Sequence, residues 1–398
     1  MTRNYTKWTI ACLVASLPLV YLVLTRPMPL PPIPVVRVAS FNAALNRPEP
    51  GQLLAELRAG SESARHIAEI IQRCEVDVLL LCELDRDDAA ESAKVFATDY
   101  LAKSQNGQRG IEFTFSYVGE VNTGEPSGMD LDGDGATNGP GDAFGFGRWQ
   151  GQYGMAILSR HPIARERVRT FRTLAWSAMP AAMRPEGFYD DATWQQLRLS
   201  SKSHWDVPVR VLGQDVHLLC SHPTPPVFDG KEDRNGCRNH DEIRFWVDYL
   251  TPGKDAWIKD DAGVQGGLAE GAQFVVLGDL NCDPVDGDSR REALLQLLAH
   301  PRVQDPLPAS EGGAQSSLDQ WAGNALHKGA AERDTGDFAD DGDSAPGNLR
   351  VDYVLPARSM TVVDAGVYWP AKSRDGHQPI GASDHRLVFV DLGFAAPK

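Results

Sequence analysis

The sequence is organised around residues 274–284, which read Phe274-Val275-Val276-Leu277-Gly278-Asp279-Leu280-Asn281-Cys282-Asp283-Pro284. The four apolar, β-favouring residues before Gly278 predict a short strand that is buried on both faces. Asp279 and Asn281 follow directly where this strand should end, and ligands of open α/β sheets bind at strand ends. On an extended backbone, two residues that are two positions apart project to the same side. The stretch therefore predicts a polar site at one end of a sheet.

The composition is that of a folded, acidic protein. The chain has 398 residues, and 42% of them are apolar, which is enough for a large core in one or two domains. Its formal net charge is -15, and no window is rich in lysine and arginine. Because non-specific nucleic-acid binding requires many basic contacts to phosphates, this charge disfavours such binding. It leaves open an enzyme that holds phosphate through cations.

The N-terminal segment predicts export. Residues 8–24 form an uncharged apolar run with basic residues on both sides, as in a signal peptide or a membrane anchor. The run is just long enough to span a bilayer, which takes roughly 17–25 residues. No small-x-small cleavage site follows Leu24, so we favour an uncleaved anchor over residues 1–26, with the N-terminus in the cytoplasm. The proline-rich residues 27–34 predict a stiff tether, and residues 35–398 form the exported domain, which is secreted if the segment is cleaved.

Two strands of a predicted βαβ unit also end in polar residues. Residues 35–41 and 76–81 predict strands that lead to Asn42 and Glu83, with an amphipathic helix over 63–74 between them. A right-handed crossover makes the two strands parallel, so both polar residues should lie at one edge of the sheet. Considered alone, Asn42 is better explained as a turn residue.

Residues 124–147 predict a long glycine-rich loop with the alternating carboxylates of a calcium site. Positions one, three, five and nine of that pattern are Asp130, Asp132, Asp134 and Asn138. The twelfth position is glycine instead of the bidentate glutamate, and Asp142, one residue later, is the candidate substitute. We favour Ca²⁺ binding over the alternative, a solvated acidic loop.

The C-terminal half adds further polar strand ends. A hairpin over 207–220 leads to His222, and residues 349–355 predict a strand that contains Asp352. A buried carboxylate needs a partner, because its desolvation costs several kcal/mol. Arg198, Lys202 and His204 alternate along a further predicted strand, one face of which could meet an anion.

Two regions offer no regular pattern or no defined pairing. Residues 303–348 predict an irregular excursion, and the acidic run 334–343 within it predicts a solvated loop. Cys82, Cys220 and Cys282 predict small buried thiols, whereas Cys74 and Cys237 stay open as disulfide partners in an exported protein.

Polar residues thus lie at the ends of six separate predicted strands: Asn42, Glu83, His222, Asp279 with Asn281, Asp352, and Asp384 with His385. The motifs that carry them are Ser-Phe-Asn42, Leu-Cys-Glu83, Ser-His222-Pro, Gly-Asp279-Leu-Asn281, Val-Asp352-Tyr-Val and Ser-Asp384-His385. This order resembles the endonuclease/exonuclease/phosphatase superfamily, over nearly everything after residue 34. The resemblance implies an α/β four-layer sandwich of two mixed β-sheets flanked by helices, as in DNase I.

The resemblance also implies metal-assisted attack of water on a phosphoester. Glu83 would hold Mg²⁺ or Mn²⁺, supported by Asn42 and Asp384, since hard cations prefer carboxylate and amide oxygens. Asn42 would also contact the phosphate.

The resemblance assigns the catalytic roles to four further positions. Asp279 would orient or deprotonate the attacking water, and Asn281 would donate a hydrogen bond to the phosphate. His385, paired with Asp352, would act as acid, base or charge stabiliser. His222 would be a second proton-transfer group, although the strand over 151–158 offers it no carboxylate partner.

The substrate and two other classes of function stay open at this level. The acidic charge and the predicted anchor favour a small or lipid-linked phosphoester over nucleic acid, so a secreted nuclease of the same fold is the alternative. A calcium-dependent surface-binding module on an inactive fold is disfavoured, because no expected catalytic residue is missing. A zinc hydrolase lacks the necessary histidine and cysteine spacing.

Overall fold

A computed structural model describes residues 33–340 and 345–395. The strands are β1 (Val35–Leu45), β2 (Val78–Leu84), β3 (Phe115–Tyr117), β4 (Met155–Ser159), β5 (Arg169–Thr170), β6 (His204–Val211), β7 (Gln214–Ser221), β8 (Gln273–Asp279), β9 (Gly336–Asp337), β10 (Asn348–Leu349), β11 (Asp352–Pro356), β12 (Thr361–Val367) and β13 (Val388–Gly393). The α-helices are α1 (Gln52–Ala59), α2 (Glu62–Arg73), α3 (Glu91–Val95), α4 (Asp191–Gln196), α5 (Arg234–Leu250), α6 (Glu292–Leu298), α7 (Glu311–Asp319) and α8 (Trp321–Asn324).

Two mixed sheets form the centre of the molecule. The first has six strands in the order β12-β13-β1-β2-β4-β3, and the second has five in the order β11-β8-β7-β6-β5. Each sheet contains one parallel pair, β1 with β2 and β7 with β8, and its other neighbours are antiparallel. The parallel pairs place the ends of consecutive strands at the same edge.

The central strands of the first sheet, β1 and β2, are buried on both faces. Val38 and Leu80 point into the core between the sheets, which Val207 and Leu218 of the second sheet complete. Their neighbours in sequence point the other way, into a second core that α1, α2 and α3 cover. On the far side of the second sheet, Trp246 of α5 joins the central core. The predicted four-layer arrangement of two mixed sheets and flanking helices is confirmed.

The helix predicted over 63–74 is α2, and it shows why this segment is helical. The side chain of Ser61 caps its N-terminus by accepting a hydrogen bond from the Ala64 backbone N–H at 3.4 Å. Ile67, Ile70 and Ile71 recur at helical spacing and are buried against the sheet. The crossover from β1 through this helix to β2 makes those strands parallel, as predicted.

Two predictions about the chain outside the sheets are wrong, and the open question of disulfides is answered. Residues 303–348 are not wholly irregular, since they contain α7, α8, β9 and the start of β10. The acidic run is not simply solvated, because Asp334 is buried and Asp337 pairs with Arg386 at 2.6 Å. All five cysteines of the described residues, which include Cys74 and Cys237, are buried and free of disulfides.

The predicted N-terminal anchor, residues 1–26, lies outside the described residues. Among the helices of residues 33–340 and 345–395, none has the length and apolar character required to cross a bilayer.

Candidate active site

Strand register brings the polar residues of the second sheet together. Asp352 at the start of β11 lies opposite Asp279 at the end of β8. In the parallel pair β7 and β8, Cys220 lies opposite Leu277, so His222 just beyond β7 comes beside Asp279. In the first sheet, Asn42 of β1 pairs with Cys82 of β2, and Glu83 follows. Because the Asn42 amide reaches Asp279, this end of the first sheet meets the same end of the second.

Gly278 allows this close approach of β7 and β8. Its φ is +150°, and a Cβ atom at this position would lie 1.9 Å from the carbonyl oxygen of Ser221. A side chain would therefore push the two strands apart. The glycine that marks the end of the predicted strand is what seats His222 next to Asp279.

Asp279 is the centre of the site, and its carboxylate is nearly inaccessible to solvent. The Asn42 amide donates to Oδ2 of Asp279 at 3.0 Å, and the backbone N–H of Asn281 donates to Oδ1 at 2.9 Å. The Nε2 atoms of His222 and His385 lie 3.4 Å and 3.6 Å from the same Oδ2. Residues from both sheets thus converge on one carboxylate oxygen.

The two histidines differ in charge because their surroundings differ. Burial disfavours the charged form of His385, but the carboxylates of Asp352 and Asp279 outweigh it and raise its pKa to about 10. Burial lowers the pKa of His222 well below its usual value, and the positive charges of Lys202 and His385 add to the shift. At neutral pH, His385 is therefore an imidazolium and His222 a neutral imidazole. Burial also raises the pKa of Asp279 above its ordinary range.

Asp352 holds His385 in place. Its Oδ2 lies 2.9 Å from Nδ1 of His385, and its backbone N–H donates to the Thr335 hydroxyl at 2.9 Å. Within the described part of the chain, the second carboxylate oxygen of Asp352 has no hydrogen-bond partner. The His385 ring therefore presents Nε2, not Nδ1, towards Asp279 and the open site.

Glu83 and Asp384 supply the carboxylates that are candidates for a hard divalent cation. Glu83 has a φ of +57°, which turns its carboxylate at the strand end, and Asn46 donates to its Oε2 at 2.7 Å. Asp384 is exposed, and no described residue donates a hydrogen bond to its carboxylate. Carboxylate and amide oxygens are the donors that Mg²⁺ and Mn²⁺ prefer.

A second group of donor atoms is less suited to a cation. Ligand atoms of Asp279, Asp352 and His385 all lie within 4.8 Å of one another. The Nδ1 atom of His385 is already engaged by Asp352, however, and a protonated His385 repels a cation. By donor chemistry alone, the Glu83 carboxylate fits a hard cation better than this group does.

Asn281 has a backbone that few residues adopt. Its φ is +50°, a conformation that asparagine tolerates better than most side chains. One of its amide N–H groups donates to the Pro223 carbonyl oxygen at 3.1 Å, which fixes the side chain beside the site. Asn281 can then offer its second N–H to a phosphate.

Lys202, one of the three residues that the sequence suggested could meet an anion, lies in the site. It is only 7% exposed, yet the nearest acceptor to its ammonium is the Pro223 carbonyl oxygen at 3.5 Å. Burial lowers its pKa, against the charges of Glu242, Glu83 and Asp279. A buried cation with so few hydrogen bonds is suited to an anionic ligand.

Glu242 of α5 positions Lys202, and sequence reasoning missed it because it comes from a distant helix. Its Oε1 accepts from the Ser201 backbone N–H at 2.6 Å, and its Oε2 accepts from the Thr224 backbone N–H at 2.7 Å. One buried carboxylate thereby ties the loop before β6 to the loop after β7. These loops carry Lys202 and His222.

The strand predicted through Arg198, Lys202 and His204 is wrong, because β6 begins only at His204. Arg198 pairs with Glu125 at 2.8 Å instead of facing the site. His204 is buried, and its ring hydrogen-bonds the Ser200 hydroxyl at 2.6 Å. Of the three residues, Lys202 alone reaches the site.

A cavity of about 510 Å³ adjoins the site. Glu83, Lys202 and His222 line one part of its wall, and aromatic and aliphatic side chains line much of the rest. The loop over 124–147 contributes to this wall through Leu131 and Ala143.

The predicted calcium residues lie in the same loop, and Asp132 also lines the cavity. Carboxylate oxygens of Asp130, Asp132 and Asp134 lie within 4.8 Å of one another, while Asn138 is exposed. Asp142 does not replace the missing glutamate, because its carboxylate is buried and accepts from two backbone N–H groups, those of Leu131 and Gly139. Ca²⁺ binding here stays a prediction.

Comparison with known proteins bears on the fold. A model described as the endonuclease/exonuclease/phosphatase family matches residues 39–385. No curated protein sequence matches significantly. The chain is similar to the solved structure of an endonuclease/exonuclease/phosphatase from Beutenbergia cavernae, with 19% identity, a TM-score of 0.51, and coverage of 91% of this chain and 72% of that chain.

Two further solved structures match with lower TM-scores. A family protein from Leptotrichia buccalis is 14% identical, covering 90% of this chain and 100% of that chain, with a TM-score of 0.48. Sphingomyelinase C from Streptomyces griseocarneus is 17% identical, covering 90% and 99%, with a TM-score of 0.42. Since the family model spans most of the sequence and the two mixed sheets bring its strand-end motifs to one edge, the chain belongs to the endonuclease/exonuclease/phosphatase family.

Proposed function

We propose that the protein is an exported phosphoester hydrolase that depends on Mg²⁺ or Mn²⁺. The observation that carries the proposal is the convergence of Asn42, His222 and His385 on one buried oxygen of Asp279. A carboxylate held between an amide, a neutral imidazole and an imidazolium is equipped to orient a water molecule next to developing negative charge.

Asp279 is the group that orients and deprotonates the water. With His385 protonated at neutral pH, the available base is the carboxylate, whose raised pKa improves it as a proton acceptor. The water oxygen forms a bond to phosphorus while the ester P–O bond breaks. Asp279 takes the proton of the water, and the departing alcohol oxygen takes a proton from solvent.

The other residues bind and balance charge. Glu83, with Asn42 and Asp384, would hold the divalent cation, which polarises a phosphoryl oxygen. Lys202 and the free N–H of Asn281 would contact the phosphate oxygens. The fixed positive charge of His385 lies 3.6 Å from Asp279 and stabilises the negative charge that builds up during attack.

The test is hydrolysis of a panel of phosphoesters by wild type and Asp279→Asn. Bis(4-nitrophenyl) phosphate, 4-nitrophenyl phosphate, phospholipids, DNA and RNA are offered with Mg²⁺ and with EDTA. We expect EDTA to abolish turnover, and Asp279→Asn to lower kcat by roughly 10²- to 10⁴-fold, because the general base is lost.

The matched control is Asp261→Asn, at an exposed carboxylate that hydrogen-bonds Thr170 and Thr173 away from the site. Wild-type activity in Asp279→Asn, or full activity in EDTA, contradicts the proposal. Preferential cleavage of DNA or RNA would favour the nuclease alternative.

Export is a separate proposal that rests on the apolar run over residues 8–24. Protease treatment of intact cells, followed by detection of the domain, tests it. Protection of the whole chain from external protease, with none in the medium, would contradict it.

A further inference from the structure

The cavity beside the site has a polar part and a mostly apolar part in its lining, and this contrast bears on the substrate. At about 510 Å³ its volume lies within the range of small-molecule sites, roughly 300–1,000 Å³. Because Glu83, Lys202 and His222 belong to its wall, whatever fills the cavity is in contact with the reacting phosphate or is part of the same molecule.

The catalytic part of the wall carries polar atoms without partners. Within the residues that the structure describes, Nδ1 of His222 and the hydroxyl of Thr224 are buried and make no hydrogen bond. The Lys202 ammonium has its nearest acceptor at 3.5 Å. These groups need a polar ligand, because a buried donor without a partner is destabilising.

Most of the remaining wall is apolar, although Asp132, Tyr153, Arg234 and Asn235 also line it. Several of its polar atoms are already engaged. The indole N–H of Trp176 donates to Asp241 at 2.7 Å, and the Tyr189 hydroxyl donates to the Leu131 carbonyl oxygen at 3.4 Å. The Arg238 guanidinium donates to backbone carbonyl oxygens, among them that of Phe144 at 2.6 Å. This part of the wall offers few groups to meet the polar edges of a nucleobase.

The apolar wall continues onto the protein surface. Phe146, Val227 and Phe228 line the cavity and are 60%, 37% and 89% exposed. Exposed apolar residues that cluster at the mouth of a cavity mark an interaction site more often than single exposed ones.

We infer that the substrate is a lipid phosphoester. Its phosphate lies at Asp279 and Lys202, its alkyl or acyl chain lies against Trp176 and Leu197 in the cavity, and Phe146, Val227 and Phe228 contact the lipid surface from which it is taken. This inference rests on the proposed hydrolase function and names the substrate class of the same site. An amphiphile matches a wall that is unsatisfied at one part and apolar at the other.

The test uses the full chain and a series of alkyl 4-nitrophenyl phosphates, from methyl to octyl, at monomeric concentrations. We expect kcat/KM to rise about threefold to fourfold per methylene until the chain fills the cavity. Ala143→Leu, which fills part of the cavity, should lower the ratio of octyl to methyl kcat/KM at least tenfold. A flat series overturns the inference, while hydrolysis of the methyl ester still supports the hydrolase function.

If no ester is hydrolysed, the proposed hydrolase function has failed. The inference of a chain-binding cavity can then still be tested by measuring ligand binding. Methyl- and octylphosphonate are titrated into the protein with Mg²⁺ by calorimetry. A Kd at least a hundredfold lower for the octyl compound supports a chain-binding cavity, and equal Kd values overturn it.

The surface residues are tested with hexadecyl 4-nitrophenyl phosphate in phosphatidylcholine vesicles. Phe228→Ser should lower turnover of the vesicle substrate, relative to the monomeric octyl ester, at least tenfold. Leu326→Ser is the matched control, because Leu326 is also 89% exposed but does not line the cavity, and its ratio should equal that of wild type. An unchanged ratio in Phe228→Ser, or faster cleavage of a DNA oligonucleotide than of any alkyl ester, overturns the inference.

Discussion

At the scale of single residues, the site contains a buried charge that does not stabilise the fold. Lys202 is almost fully buried, and its ammonium has one distant acceptor. A buried charge with few hydrogen-bond partners costs free energy of folding. Contact with an anionic ligand would explain its presence here, and packing alone does not.

Substitution of Lys202 should separate activity from stability. We expect Lys202→Met to lower kcat/KM roughly 10²- to 10³-fold, because a preorganised donor to the phosphate is lost. The same change should raise the free energy of unfolding by about 1 kcal/mol, since no charge has to be buried. Kinetic assays and urea unfolding measure the two effects.

Lys254→Met, at an exposed lysine, is the control and should change neither quantity. A Lys202→Met variant that is strongly destabilised, or that keeps full activity, would show that Lys202 is structural.

At the scale of elements, the sequence predicted strands well where both faces are buried. Residues 274–278 and 76–81 are continuous apolar runs, and they form β8 and β2 close to the predicted bounds. The polar residues at their ends could also be located, because the apolar run of a buried strand stops where the chain reaches the edge of the sheet. The positions of Asp279 and Glu83 at strand ends could therefore be predicted from the sequence alone.

Other local predictions failed because distant residues decide the local structure. The segment over 198–203 alternates like a strand, but the Arg238 guanidinium of α5 takes its carbonyl oxygens, including those of Arg198 and Leu199. Asp142 resembles a calcium ligand in sequence, but its carboxylate closes its own loop. The role of Glu242 depends on two loops that meet only in the folded chain.

The Glu242 carboxylate, which accepts hydrogen bonds from both loops, should contribute to stability and to activity. Glu242→Gln should lower the free energy of unfolding by about 1–3 kcal/mol, because an amide N–H replaces one acceptor and faces a backbone N–H. It should also lower kcat, since Lys202 and His222 lose their support. Urea unfolding and turnover are measured together. Glu270→Gln, at an exposed glutamate, is the control. Normal stability in Glu242→Gln would contradict this role.

Because His204, at the start of β6, is buried in its neutral form, we expect the free energy of unfolding to fall in mild acid. Burial lowers its pKa to about 4, against the effect of Glu242, whereas an unfolded histidine titrates near pH 6.5. Because the folded state disfavours protonation, this contribution is complete above about pH 6.5 and is lost as the pH falls towards 4. Between pH 7 and pH 5 we expect a loss of roughly 2 kcal/mol.

Urea unfolding as a function of pH checks this expectation. His204→Gln should remove this part of the pH dependence, whereas His66→Gln, at a partly exposed position on α2, should retain it. Equal pH dependence in wild type and His204→Gln would contradict the assignment.

At the scale of the whole molecule, a site assembled from two sheets should respond to its cation as a unit. Binding of Mg²⁺ at Glu83 would stabilise the folded state by mass action, by about 2.7 kcal/mol at a hundred times Kd. We therefore expect the Tm to rise with Mg²⁺ in wild type and to stay constant in Glu83→Gln. Differential scanning calorimetry measures this directly.

The control for the cation is Glu112→Gln, at an exposed glutamate, which should show the wild-type response to Mg²⁺. A Glu83→Gln variant that is stabilised by Mg²⁺ as strongly as wild type would place the cation elsewhere.

The hydrogen bond from Asn42 of the first sheet to Asp279 of the second has a consequence for folding kinetics. Neither sheet contains the complete site, so a partly folded chain with one sheet formed would be catalytically silent. During refolding, the return of turnover would then lag behind the circular dichroism signal of the strands. Enzymatic activity would serve as a clock for the docking of the two sheets.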